Sequence, residues 1–196
     1  MSAASSVGLW QKHVMAVDDV TKRMARITAA LEAARIPFAL VGGQAVALWV
    51  ATKDPAAVRT TRDVDILVGR HNLAEVRKAA LSTGMEYFEV LGVGMLLERD
   101  DPNPQRAVRL VWAAEKVRPE YALTSPDVTD VHVLEPGKPV VSLAGLVRMK
   151  LMANRDQDRV HLRDLIDVDL VGRDRVDGLP PELAARLNDL LTEMGR

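Results

Sequence analysis

Phe38-Ala39-Leu40-Val41-Gly42-Gly43, and then Arg59-Thr60-Thr61-Arg62-Asp63-Val64-Asp65-Ile66-Leu67, are the stretches that decide how this chain folds. Four apolar residues in a row, without polar alternation, predict a short strand in the middle of a sheet covered on both faces. Two glycines follow directly, and Gln44 to Val50 reads as a helix that opens at them. Glycine lets backbone approach a ligand closely, and the free N–H groups of a helix start attract phosphate. Asp63 to Val68 then reads as a second strand, with Val64, Ile66 and Val68 on one face and Asp63, Asp65 and Leu67 on the other.

Working outward, Val17, Val20, Met24, Ile27, Ala30 and Leu31 recur at helical steps, so Val14 to Arg35 is expected to be a helix ended by Pro37. Lys53 to Arg62 reads as a polar loop, and Leu73 to Thr83 as a helix closed by Gly84. Met85 to Trp112 reads as strands joined by turns, the clearest at Asp100-Asp101-Pro102-Asn103-Pro104. Val131 to Leu134 reads as a further strand before a turn at Pro136-Gly137. From Ser142 the pattern becomes helical: Ser142 caps a helix to about Asn154, a second covers Asp158 to Val171, and Pro180-Pro181 introduces a third, Glu182 to Met194. This order predicts an α/β (α+β) protein with a mixed central sheet and a C-terminal helical cap. The expected division is an N-terminal helix over 1–35, a core over 36–140 and a helical part over 141–196.

Bulk composition narrows the classes. With 48% of its 196 residues hydrophobic, the chain can bury a core without staples. It has no cysteine, which excludes disulfides, thiolate metal sites and a cysteine nucleophile. Residues 1–8 lack the basic-then-apolar character of a signal peptide, and the apolar run Ala45 to Ala51 is far short of the ~20 residues that span a bilayer. A cytoplasmic protein with no membrane partner is expected. The formal net charge is −1, so a polyanionic partner would have to be gripped locally.

Taken alone, the candidate residues have plain readings. A glycine pair most often makes a tight turn. An Asp-x-Asp pair most often blunts a solvated strand edge. Yet two carboxylates held on one face of a strand repel each other unless a cation lies between them. Hard divalent ions take such oxygens and leave positions for phosphate and water. Lys150 reads as a surface lysine beside Arg148, although a compact ammonium also suits phosphate. Arg155, Arg159 and Arg163 form a helical stripe expected to pair with Asp156, Asp158 and Asp167 rather than to touch RNA. His13, His71, His132 and His161 show no ligand spacing, and Trp10, Trp49 and Trp112 read as packing residues.

Together, however, these stretches resemble the nucleotidyltransferase superfamily, whose pattern is strand, Gly-Gly or Gly-Ser, helix, then a hydrophobic-flanked Asp-x-Asp. The resemblance is to its small bacterial AbiEii-like branch, where Arg-x-Thr-x-Asp-x-Asp is common; Arg59, Thr61, Asp63 and Asp65 fill it. Val141 to Leu151 is similar to that branch's lysine-bearing helix. Arg155-Asp156-Gln157-Asp158 and Leu162-Arg163-Asp164-Leu165 are similar to the segment after it. The resemblance implies a nucleotidyltransferase fold and a nucleoside triphosphate bound with Mg²⁺ or Mn²⁺. It implies that Gly42, Gly43, Arg59, Thr61, Lys150 and Asp164 bind the nucleotide, that Asp63 and Asp65 hold metal, and that Asp63, Asp65 and Lys150 are catalytic. It further implies an RNA or protein acceptor and an antitoxin-like protein partner, in a toxin–antitoxin or defence setting.

The chain departs from the pattern twice. Gly43 and Asp63 are farther apart than is usual, implying an inserted loop around Ala51 to Val58, which costs little entropy. Catalytic members also carry a third carboxylate on a later strand, where Val108-Arg109-Leu110-Val111-Trp112 offers Arg109; Glu98 or Glu115 are the substitutes to examine. Two functions therefore stand side by side: metal-dependent transfer of a nucleoside monophosphate to RNA or protein, and a catalytically degenerate relative that binds nucleotide or a partner without transfer.

Overall fold

The computed structural model describes residues 8–196, apart from the side chains of Trp10, Lys12 and His13. The readings of residues 1–7, Trp10 and His13 therefore lie outside the described residues. The first helix, α1, runs Leu9–Ala33, starting earlier than expected. Arg35 ends it in the left-handed region (φ 56°), and the N–H of Ile36 donates back to Leu31 O at 3.0 Å. That closing bond is the helix-ending geometry expected just before a proline, which keeps Ile36 out of the helical region.

The strand β1 is Phe38–Val41, buried throughout, and α2, Gly42–Ala51, follows without an intervening residue. After the loop, which holds one short turn at Pro55–Ala57 capped by Asp54, comes β2, Val64–Val68. It runs antiparallel to β1 with Val41 opposite Asp65. Next are α3, Leu73–Ser82, β3, Met85–Val90, β4, Val93–Glu98, and β5, Val108–Trp112. The chain continues through β6, Val131–Glu135, and β7, Lys138–Val141, into α4, Leu143–Ala153, α5, Asp156–Asp167, and α6, Pro181–Glu193.

Among the described residues the strands form one mixed sheet in the order β3-β4-β5-β2-β1-β7-β6. Two strands parallel to their neighbours, β5 beside β2 and β7 beside β1, embed the central antiparallel pair. The alternation read from β2 decides the layering. Val64, Ile66 and Val68 pack with Ile27 and Leu31 of α1 and Val76 of α3 on one face. Leu67 packs on the other with Val46 of α2, Leu146 and Leu151 of α4, Leu162 of α5 and Leu187 of α6.

Besides the earlier start of α1, β2 begins at Val64 rather than Asp63, leaving Asp63 just before the strand, and two further elements differ from the sequence reading. β7 has no element in the sequence reading, which passes from the turn at Pro136-Gly137 to the helix at Ser142, yet it pairs with the central strand at Leu40↔Val140. α5 begins at Asp156 rather than Asp158, because the Asp158 carboxylate accepts the backbone N–H of Arg155 (3.3 Å) and acts inside the first turn instead of before it. It ends near Asp167, where Asp169 turns left-handed (φ 56°). Ser142 and Asn154 bound α4 as expected: Ser142 Oγ accepts the Gly145 N–H at 3.0 Å, and Asn154 is left-handed at φ 46°. Since Ile66 is fully enclosed at the centre of the sheet, Ile66→Ala is expected to cost about 2–5 kcal/mol of stability. Urea unfolding measures this, and a loss under about 1 kcal/mol would contradict the packing described.

Candidate active site

Because β1 and β2 are antiparallel, the end of β1 and the start of β2 lie at the same edge of the sheet, and the Gly42–Gly43 turn meets Asp65 there. The fit is close. Gly42 has φ 66°, and a Cβ placed on it would fall 2.1 Å from Asp65 Oδ2. A Cβ on Gly43 would fall 2.7 Å from Thr61 Oγ1. Thr61 Oγ1 in turn accepts the Asp63 N–H at 3.3 Å. Gln44 donates to the carbonyl of Asp63 at 3.3 Å, fastening the loop to the start of α2. No side chain caps α2, so its first-turn N–H groups are left for another acceptor.

Asp63 and Asp65 are joined by Arg109 of β5, which lies opposite Asp65 in register. Its guanidinium is 2.9 Å from Asp63 Oδ1 and 3.6 Å from Asp65 Oδ1. Burial raises the Asp65 carboxyl above its ordinary range; Arg109 pulls it down, Asp63 pushes it up, and Lys150 and Arg155 are near enough to pull it down further.

Lys150 departs from its plain reading. Its side chain is only 7% exposed and Nζ donates to Asp158 Oδ1 at 2.9 Å, with the Asp158 side chain 1% exposed. Asp158 also accepts from Arg155 Nε at 2.7 Å. Although burial opposes it, the Arg155 hydrogen bond and the Lys150 charge hold the Asp158 carboxyl below the usual carboxylate range. Asp164, nearly buried, accepts from Arg59 Nε at 2.7 Å. Gly42, Gly43, Thr61, Asp63 and Asp65 thus gather around one edge, with Lys150 within electrostatic reach, while Arg59 turns to Asp164 of α5.

The arginine stripe of α5 pairs differently from expectation. Arg155 does take Asp158, but Arg159 and Arg163 both reach Glu193 of α6, at 3.0 and 2.7 Å. The proposed substitutes for a third carboxylate are committed elsewhere. Glu98 pairs with Arg26 of α1, and Glu115 receives Arg70 through both oxygens. Among the described residues no three His, Cys, Asp or Glu side chains come close enough to hold a metal ion. Asp63 and Asp65 offer carboxylate oxygens of the right kind, but with Arg109 between them the arrangement does not fit a resident divalent ion.

The sequence reading missed His161. It lies on the same face of α5 as Asp158 and Asp164, is 8% exposed, and its Nδ1 has no hydrogen-bond partner. Burial, with Lys150 adding, pushes its pKa down to about 4, against the pull of Asp158 and Asp164. The spacing 158, 161, 164 was the available signal, masked by the arginine stripe beside it. His132 instead packs edge-on against Trp49, ring centres 5.3 Å apart, and Trp49 Nε1 donates to Val141 O at 3.0 Å.

The family profile described as nucleotidyl transferase AbiEii toxin, type IV toxin–antitoxin system, matches residues 24–196. Curated proteins provide no match. A crystal structure of an antigenic nucleotidyltransferase-like protein from Paracoccidioides brasiliensis is similar over 91% of this chain and 89% of its own, at 20% identity and a TM-score of 0.57. The solution structure of the antibiotic-resistance factor ANT(2'')-Ia covers 90% of this chain and 86% of its own, at 14% identity and a TM-score of 0.45. The first of these shares the fold. No helix among the described residues is long and apolar enough to cross a membrane.

Two outcomes test this geometry. Gly42→Ala should displace Asp65 and cost more than Gly84→Ala, which has the same sign of φ (82°) but open space around it. The backbone penalty alone is about 1 kcal/mol, so equal losses of thermal stability in the two variants would refute the Gly42–Asp65 contact. His161 tests burial. The unfolded chain takes up its proton near 6.5 and the folded chain only near 4, so between those values acid favours unfolding. Roughly 2–3 kcal/mol of stability should be lost as pH falls through that window, with none lost above it. Urea midpoints measured across the window should fall less in His161→Gln than in the unchanged chain, and identical slopes would contradict the assignment.

Proposed function

The chain belongs to the AbiEii nucleotidyltransferase family, and from that membership we propose that it transfers a nucleoside monophosphate from a nucleoside triphosphate to a hydroxyl on RNA or protein. The observation that supports this most is the meeting of Gly42 with Asp65 at the uncapped start of α2. Backbone N–H groups and a carboxylate pair then face one space.

In this reading Gly42 and Gly43 present N–H groups to the triphosphate, whose charge a helix start favours. Lys150 and Arg155 set a positive potential behind them, kept in position by Asp158. Thr61 braces Gly43 and Asp63, and Asp164 orients Arg59 for a phosphate. The acceptor hydroxyl oxygen attacks the α-phosphorus in line, the bond from that phosphorus to the α–β bridging oxygen breaks, pyrophosphate departs, and the hydroxyl proton passes to solvent or to the carboxylate pair; positioning and electrostatics supply most of the rate. Mg²⁺ or Mn²⁺ belongs here as the counter-ion that a triphosphate brings with it, neutralising phosphate charge. An antitoxin-like protein partner and a cytoplasmic setting follow from family membership in the same reading.

One observation favours the second reading, a relative that binds nucleotide without transfer: Arg109 occupies the strand position where an acid is expected. Incubation with Mg²⁺ or Mn²⁺, bacterial RNA and each α-labelled triphosphate separates the two. Transfer predicts label on RNA or protein that drops about a hundredfold or more in Asp63→Asn/Asp65→Asn. No label, with a triphosphate still raising the melting temperature, would leave the binding-only reading. Neither signal would end both.

A further inference from the structure

We propose that Arg109 is the resident cation of the Asp63–Asp65 pair: it keeps divalent ions out of the free protein and admits one only together with a triphosphate that draws its guanidinium away. The inference rests on the nucleotide reading of the same site, but its first half concerns the free protein alone.

Three observations carry it. The guanidinium bridges both carboxylates, at 2.9 and 3.6 Å, which is where an ion shared by the pair would have to sit. Its position is set by the fold, since the parallel pairing of β2 and β5 puts Arg109 opposite Asp65. Among the described residues no third acid clusters with the pair, and Glu98 and Glu115 are held by Arg26 and Arg70. An arginine stays charged at any pH the fold survives, so acid or base cannot clear the position. A divalent ion arriving alone would meet the guanidinium's charge at contact distance and would have to displace it from both carboxylates without giving it a new partner.

A triphosphate changes that balance. Its oxygens accept a guanidinium as well as a carboxylate does, often through two bonds. The Arg109 side chain is 36% exposed, so it can swing without opening the core. The other cations are also committed in the free protein, Lys150 and Arg155 to Asp158 and Arg59 to Asp164. The site is therefore neutralised internally until an anion arrives, and Arg109 is the link between anion and metal.

Titration of the full chain with Mn²⁺ alone, followed by the electron paramagnetic resonance of the free ion, tests the first half. The unchanged protein should bind Mn²⁺ no more tightly than Asp63→Asn/Asp65→Asn does. Arg109→Gln and Arg109→Asp should gain at least tenfold in affinity, the aspartate more. Tighter binding by the unchanged protein than by the double asparagine variant would overturn the proposal, and it needs no Arg109 variant to fold. Folded Arg109 variants that gain nothing would also overturn it. The second half is read from the rise in melting temperature caused by a triphosphate in EDTA: the unchanged protein should show it and Arg109→Gln should show less. An equal rise in both would overturn that half. If no triphosphate shifts either protein, with or without metal, the nucleotide reading fails while the Mn²⁺ result stands.

Discussion

Two carboxylates two residues apart, Asp63 just before β2 and Asp65 inside it against a glycine turn, set the terms for the rest of this structure. The β2 ladder fixes the backbone of Asp65 against β1 and β5, and Asp63, one residue before the strand, is held by Gln44 at its carbonyl and by Thr61 Oγ1 at its N–H. Asp65 cannot retreat, because Gly42 lies against it closely enough to exclude a methyl group. Their repulsion has to be met by a cation on the same face. Arg109 meets it from the neighbouring strand, and Lys150 and Arg155 add a weaker attraction from α4 and α5. The C-terminal helices therefore do more than cover a sheet face. They bring a buried lysine and its carboxylate into range of the strand pair.

How much of this was legible follows from the range of each interaction. β1, α2 and β2 announce themselves because their signals are local: four apolar residues, two glycines, and alternation across a short strand. The Ser142 cap and the Asn154 stop are local as well, one side chain answering a backbone group three residues on. β7 was not legible. It is four residues long with Pro139 inside it, and its place beside β1 comes from pairing across the whole chain. The same reason hid Glu193, which holds Arg159 and Arg163 from another helix. It also hid the engagement of Glu98 and Glu115, since each is matched by an arginine far away in sequence.

The candidate site divides along the same line. Residue types and spacing pointed to Gly42, Gly43, Asp63 and Asp65, and the resemblance added Arg59 and Thr61; folding brings Gly42 to Asp65 and Gly43 to Thr61. Lys150 was recognisable only through resemblance, because a lysine within an apolar helix looks like a side chain reaching water. Its burial depends on Asp158, eight residues away on another helix, and on Arg155, which balances the second oxygen of that carboxylate. Neither charge would be tolerated there alone, since an unpaired buried ion costs several kcal/mol (about 3–5). His161 stays neutral among them for the same reason: a further positive charge beside Lys150 would be poorly compensated.

Arg109 then has two descriptions that differ in consequence. As a replacement for a carboxylate it removes a metal ligand, and the site becomes a nucleotide cradle without chemistry. As a cation built into the sheet it holds the pair ready and leaves when phosphate arrives. The geometry distinguishes these through exposure. A purely structural counter-charge would gain from burial, where its attraction is strongest. Arg109 instead keeps a side chain 36% exposed, and it pairs with Asp63, itself 33% exposed, more closely than with the more buried Asp65, 20% exposed. The pair with Asp63, exposed on both sides, interacts weakly enough to exchange partners. Lys150, by contrast, is locked at 7% exposure against an almost fully buried acid. Among the site's cations Lys150 is the one locked in place, and Arg109 is the one that holds the Asp63–Asp65 pair itself.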